Sequence, residues 1–90
     1  MDRVQKIMDI MREHTLNGDV YDESCFHNLP VTVIAVEIPW GDWKHDHARL
    51  KYWVNELMPG LLMVNTVVTE EDGSDCYSAI HRFYFEGVQQ

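Results

Sequence analysis

Eight residues, Val31-Thr32-Val33-Ile34-Ala35-Val36-Glu37-Ile38, stand between Pro30 and Pro39 and are β-branched or apolar at nearly every position. Such a run reads as a strand, and Pro39 ends it. Successive side chains of a strand point to opposite faces. Both alternate rows here are apolar, so whichever face is buried, an apolar residue points out of the other. Whatever fold the chain adopts has to cover this strand twice or leave part of it for a partner.

The material to cover it is limited. Ninety residues make one domain, and the 46% hydrophobic content, with three Trp, four Tyr and three Phe, suffices for one thin core. Asp2 to Thr15 has helical periodicity, with Val4, Ile7, Met8, Met11 and Thr15 on one side, Asp2 as N-cap and Asn17-Gly18 as the stop. Residues 19–30 are polar and read as a loop. A second helix is predicted over 42–58, capped by Asp42 and stopped by Pro59-Gly60, with Trp43, Leu50, Val54 and Leu57 inward and Trp53 at their flank. Strands follow at 61–70 and 76–86, joined by the turn Glu71-Asp72-Gly73-Ser74-Asp75. In the last strand Tyr77, Ala79, His81, Phe83 and Phe85 share one face.

The order α-β-α-β-β predicts a single α+β domain spanning 1–90. Its three-stranded mixed sheet has order 1-3-2, and both helices lie on one face. The other face is then open. It presents a surface on which a homodimer or a tight partner would form, unless the 19–30 loop folds over it.

Charge narrows the partners. Fifteen acids against seven bases give −8. Such a surface repels nucleic acid and anionic membranes and attracts basic proteins. From Glu13 to Glu37 there are five acids and no Lys or Arg, and from Leu61 to Ile80 four acids and again none. The candidate partner-binding acids are therefore Asp19, Asp22, Glu23, Glu70, Glu71, Asp72 and Asp75. A second candidate is the outer face of the second helix, where His45, Arg49, Tyr52 and Glu56 line up and supply two residue types favoured at interface hot spots. No membrane span or apolar leader segment is apparent, and a cytoplasmic location with Cys25 and Cys76 reduced is expected.

Catalytic and metal chemistry find little support. Glu37, Asp42, His45, Asp46 and His47 offer donor atoms, but His45 and His47 lie two apart. On a helix that places them on nearly opposite sides, where they cannot share an ion. Cys25 and His27 lack a nucleophile–base arrangement, and there is no phosphate loop. No enzyme activity, metal or cofactor is expected. The small, acidic, motif-free profile resembles in type the phage and mobile-element proteins that disable host machinery, such as anti-CRISPR proteins. That resemblance implies an inhibitor that occludes a basic nucleic-acid-binding surface. The alternatives are a small metal-assisted or hydrolytic enzyme using 37–47, and a dimeric subunit of a larger complex.

Overall fold

A computed structural model describes residues 2–24, 30–38, 43–70 and 77–87. Helix α1 (Arg3–Glu13), strand β1 (Asp19–Asp22), strand β2 (Val31–Ile38), helix α2 (Trp43–Leu57), strand β3 (Leu61–Glu70) and strand β4 (Tyr77–Glu86) follow in that order. The class is α+β, with two helices against a four-stranded sheet of order β1-β2-β4-β3. The expectation of three strands in a mixed sheet is corrected on two counts. A fourth strand opens what reads as a loop, and every adjacent pair is antiparallel. β1 was hidden because Asp19-Val20-Tyr21-Asp22 is too short to display alternation. It becomes a strand through its ladder to β2, in which Asp19 faces Glu37 and Tyr21 faces Ala35. β2 and β3 do run parallel, with β4 between them.

The two apolar rows of β2 are both covered, by different means. Ile34, Val36 and Ile38 face the helices and join Ile7, Ile10, Met11, Leu16, Leu50, Val54, Met58, Phe83 and Phe85 in one core. The helix stripes are rotated from the expected ones. On α1, Ile10 is buried and Met8 is exposed; at the end of α2, Leu57 is exposed and Met58, the next residue, is buried. In each case the buried set keeps i, i+3 or i, i+4 spacing, and the neighbouring apolar residue is left over. The opposite row, Val33 and Ala35, is also fully buried. Glu23 and Arg82 form an ion pair of 2.7 Å, and Arg82 and Ala35 are ladder partners. The chain after β1 continues beside β2. Glu23 N donates to Val33 O at 2.9 Å, and Ser24 Oγ accepts from Val33 N at 2.9 Å. Glu23 and Ser24 thus continue the β1 edge along β2, and the Glu23–Arg82 pair lies on the outer face of the β2 half. The β3 half stays uncovered among the described residues.

Arg3 ties the first helix to the far end of the sheet. Its guanidinium donates to Thr32 Oγ1 at 2.9 Å and to Glu86 O at 3.0 Å, and lies 5.1 Å over the Phe85 ring. Thr32, buried in an apolar strand, in turn donates to Gly87 O at 2.9 Å. Its hydroxyl both donates and accepts, which removes the penalty of burying it.

The end of α1 also departs from the sequence reading. The helix stops at Glu13, with His14 as its C-cap, ahead of Thr15 and of Asn17-Gly18. Leu16 N donates to Met11 O at 2.7 Å and Thr15 N to Arg12 O at 3.3 Å, with Thr15 in the left-handed region at φ 57°. These are the two bonds of a Schellman motif, here with a β-branched residue where glycine is usual. Gly18 serves another purpose: a Cβ there would lie 2.6 Å from Glu37 O. The glycine lets the chain pass close against β2 as it enters β1. Exchanging the two roles should show in stability. Thr15→Gly, which relieves the left-handed strain, should raise the free energy of unfolding by about 1 kcal/mol. Gly18→Ala should lower it by at least that much, because backbone lies in the way. Urea titration followed by circular dichroism measures both.

Candidate protein-interaction surfaces

The outer face of the sheet carries the odd-numbered residues of β1 and β2, since the even-numbered row packs on the helices. Asp19, Tyr21 and Glu37 thus share one patch. Asp19 and Glu37 are direct ladder partners, and Tyr21 is the next residue of that row on β1. Like charges set directly opposite across a ladder destabilise it. Arg82 is the one basic residue in the four strands, and Glu23 already holds it. The negative field registers on Tyr21, whose hydroxyl pKa is raised, first by burial and then by Glu37, Glu23 and Asp19, with Arg82 opposing.

The acidic residues singled out in the sequence separate into different situations. Asp19 is exposed. Asp22 is exposed too, and its Oδ1 accepts from Ser24 N at 2.8 Å, turning the chain beyond β1. Glu23 is not a displayed charge, because its side chain is largely buried against Arg82. The hydrogen bond to Glu23 is the main reason the Arg82 guanidinium is held still more firmly protonated. Glu70 closes β3. Glu71, Asp72 and Asp75 lie outside the described residues, as do Asp42 and both cysteines.

On α2, His45, Tyr52 and Glu56 are exposed, and Tyr52 shows 57% of its surface. Arg49 is half-buried. It donates to His14 O at 2.7 Å and lies 3.9 Å from Asp46. Trp53 stacks on the His14 ring at 4.3 Å, and Tyr52 meets Trp53 edge-on at 5.0 Å. Arg49 and Trp53 therefore hold α2 to the C-terminal end of α1, where a cation suits the free carbonyls. Arg49 is a positioning residue, and His45, Tyr52 and Glu56 are the exposed remainder of this face.

In sequence His81 stands in an apolar row of the last strand, and His47 is set only against His45. The structure joins His47 to His81. Their rings stack at 4.0 Å and 3° apart, and Thr66 Oγ1 lies 3.3 Å from His47 Nε2 and 2.9 Å from His81 Nδ1. The signal was present in register alone. Val36, His81 and Thr66 stand on one ladder row facing the helices, and α2 supplies His47 above them. Parallel rings aim their nitrogen lone pairs along parallel planes, so the pair is not arranged to chelate one ion. Among the described residues, no three His, Cys, Asp or Glu side chains gather as a metal site. No described helix is long and apolar enough to cross a membrane.

Both imidazoles are kept neutral. Burial pushes His81 down from 6.5 to about 4, with His47 contributing, and burial followed by Lys51 lowers His47. Compared with known proteins, the chain matches no family, no curated protein and no solved structure.

The histidine pair sets an acid response. A His whose folded pKa lies below its unfolded value takes up protons on unfolding, so stability is full above pH 6.5 and falls as pH drops toward 4. His81 alone accounts for a loss on the order of 3 kcal/mol across that interval. Urea unfolding midpoints measured between pH 7 and 4 should show it. His81→Gln, which keeps a partner for Thr66 but does not titrate, should flatten that slope.

Proposed function

We propose that this protein is a non-catalytic binder of a basic protein surface, engaging it through the acidic outer patch at the β1 edge. The observation that carries the reading is the pairing of Asp19 directly opposite Glu37, beside the partly exposed ring of Tyr21. The sheet tolerates a repulsive pair at a position where a lysine or threonine would stabilise it. A local conflict of this kind fits a surface kept for a partner. Two carboxylates set around an amphipathic ring suit Lys and Arg side chains that otherwise grip phosphates.

The mode of action in this reading is occlusion of a nucleic-acid-binding groove, the mode of the anti-CRISPR-like inhibitors that the acidic, motif-free profile resembles. Nucleic acid itself is not a partner. The exposed Tyr52 on α2, near His45 and Glu56, lies on the helix side beside Leu61 of β3 and is no part of this contact. The tightly packed His47–Thr66–His81 cluster maintains the fold.

Asp19→Lys separates folding from binding. It replaces a repulsive ladder pair with an attractive one, so stability should stay level or rise by about 0.5 kcal/mol. Binding should fail. The measurement is capture from the source cell's extract on immobilised wild type and variant. A nucleic-acid-binding protein that wild type retains, that salt or duplex DNA releases and that Asp19→Lys does not hold supports the reading. A captured partner indifferent to salt, duplex and Asp19→Lys sinks it.

A further inference from the structure

The two edges of the sheet are built in opposite ways. β1 is four residues long and begins and ends in Asp. Short, charged edges resist pairing with another strand. β3 is ten residues long, and from Leu61 through Thr69 it contains no charged residue, in a chain where 24% of residues are charged. Its outer edge has no strand beside it among the described residues. Leu62, Met63, Val67 and Val68 are exposed there, at 58%, 55%, 45% and 43%. Among the described residues, the one edge-protecting device is the irregularity between Leu61 and Met63.

We propose that β3 pairs antiparallel with β3 of a second copy, forming a two-fold homodimer with one continuous eight-stranded sheet. This goes beyond the reading of the acidic patch, because it uses the opposite edge and a different partner. Three observations favour a second copy over any other occupant.

The first is self-complementarity. A two-fold axis at Asn65 sets Met63 opposite Val67 of the other copy and Leu62 opposite its Val68, so the four exposed apolar residues match one another. Directly opposed residues share a face, which agrees with Met63, Asn65 and Val67 lying on the same face of β3. The second is Asn65 itself, a polar residue in the middle of an apolar strand. On the axis its amide meets its own copy, and an amide both donates and accepts. The third is charge. Two chains of −8 repel each other everywhere except on a neutral surface, and β3 is the long neutral strand. The same register carries Glu70 past Leu61 of the other strand, roughly 34 Å from its own copy at 3.4 Å per residue. Beside β3, the shallow groove lined by Ala48, Lys51, Tyr52, Asn55 and Leu61 gives the helices of the two copies room to approach.

Sedimentation equilibrium tests the dimer on the full chain. Wild type should be a dimer, and dimerisation should strengthen with added salt, because screening removes repulsion between like-charged chains. Capture of a basic partner at the acidic patch responds to salt with the opposite sign, so failure of one proposal is distinguishable from failure of the other. Met63→Lys with Val67→Lys sets lysines against lysines across the axis and should weaken the dimer by about a hundredfold or more, with unchanged circular dichroism. Asp19→Lys should leave it dimeric. In a Cys25→Ser, Cys76→Ser background, Asn65→Cys should form a disulfide-linked dimer under mild oxidation, since opposed residues sit within disulfide reach. That cross-link decides the matter if the lysine variant does not fold. A wild type that stays monomeric at its highest soluble concentration overturns the proposal. So does a folded lysine variant that remains dimeric, or an Asn65→Cys chain that fails to cross-link while wild type dimerises.

Discussion

The fold depends on one requirement: β2 is apolar on both faces, and neither face can be left to water. Burial of large aliphatic side chains is worth about 2 kcal/mol each, and the chain has only ninety residues with which to cover two rows. The helices take the row of Ile34, Val36 and Ile38. They cannot also reach Val33 and Ala35. Among the described residues, β1 flanks them on one side and β4 on the other, and the Glu23–Arg82 ion pair lies on their face. A partly buried ion pair is a costly cover unless its hydrogen bond is good, and the 2.7 Å contact between Arg82 Nε and Glu23 Oε1 meets that condition.

This accounts for which features were legible in the sequence. The long elements were read correctly because their signals are local. The prolines bound β2, Pro59-Gly60 stops α2, and Gly60 does adopt the left-handed conformation at φ 83°. β1 was not legible, because its stability is not local. Asp19-Val20-Tyr21-Asp22 is a strand only because β2 offers it a ladder and Gly18 lets it approach. The Asn17-Gly18 pair misled for the same reason: a glycine required by close approach to Glu37 looks in sequence like a glycine that ends a helix. Likewise Glu23 and Arg49, which a one-dimensional reading puts on display, are drawn inward by Arg82 and by the His14 carbonyl. The His47–His81 stack joins residues thirty-four positions apart and needed the register of three strands before it could be seen.

The same interactions shape the surface charge. Arg3 is spent on Thr32 and the Glu86 carbonyl, Arg12 on Asp9, Arg49 on His14, and Arg82 on Glu23. Four of the seven basic residues are thus engaged within the chain, two of them with backbone carbonyls among their acceptors. Among the described residues, Asp19 and Glu37 meet no such cation. The potential seen by an approaching molecule is therefore more negative near β1 than an even spread of −8 would give, and field strength at a patch is what steers encounter.

Charge and edge geometry are then two aspects of one layout. In the order β1-β2-β4-β3, the acidic short strand and the neutral long strand occupy opposite margins, so a contact at one leaves the other open. Two copies joined through β3 would place their β1 strands at the outer margins of one sheet, seven inter-strand steps and about 34 Å apart. Twist accumulates over the same steps at roughly 20 to 25° each, turning one end against the other by roughly 150°. The two acidic faces would then look in nearly opposite directions. A dimer of this kind could not lay both patches along one flat groove. It would hold two separate basic partners, or two copies within an oligomeric one, and any gain in affinity from dimerisation would come from such bivalence and not from a larger single contact.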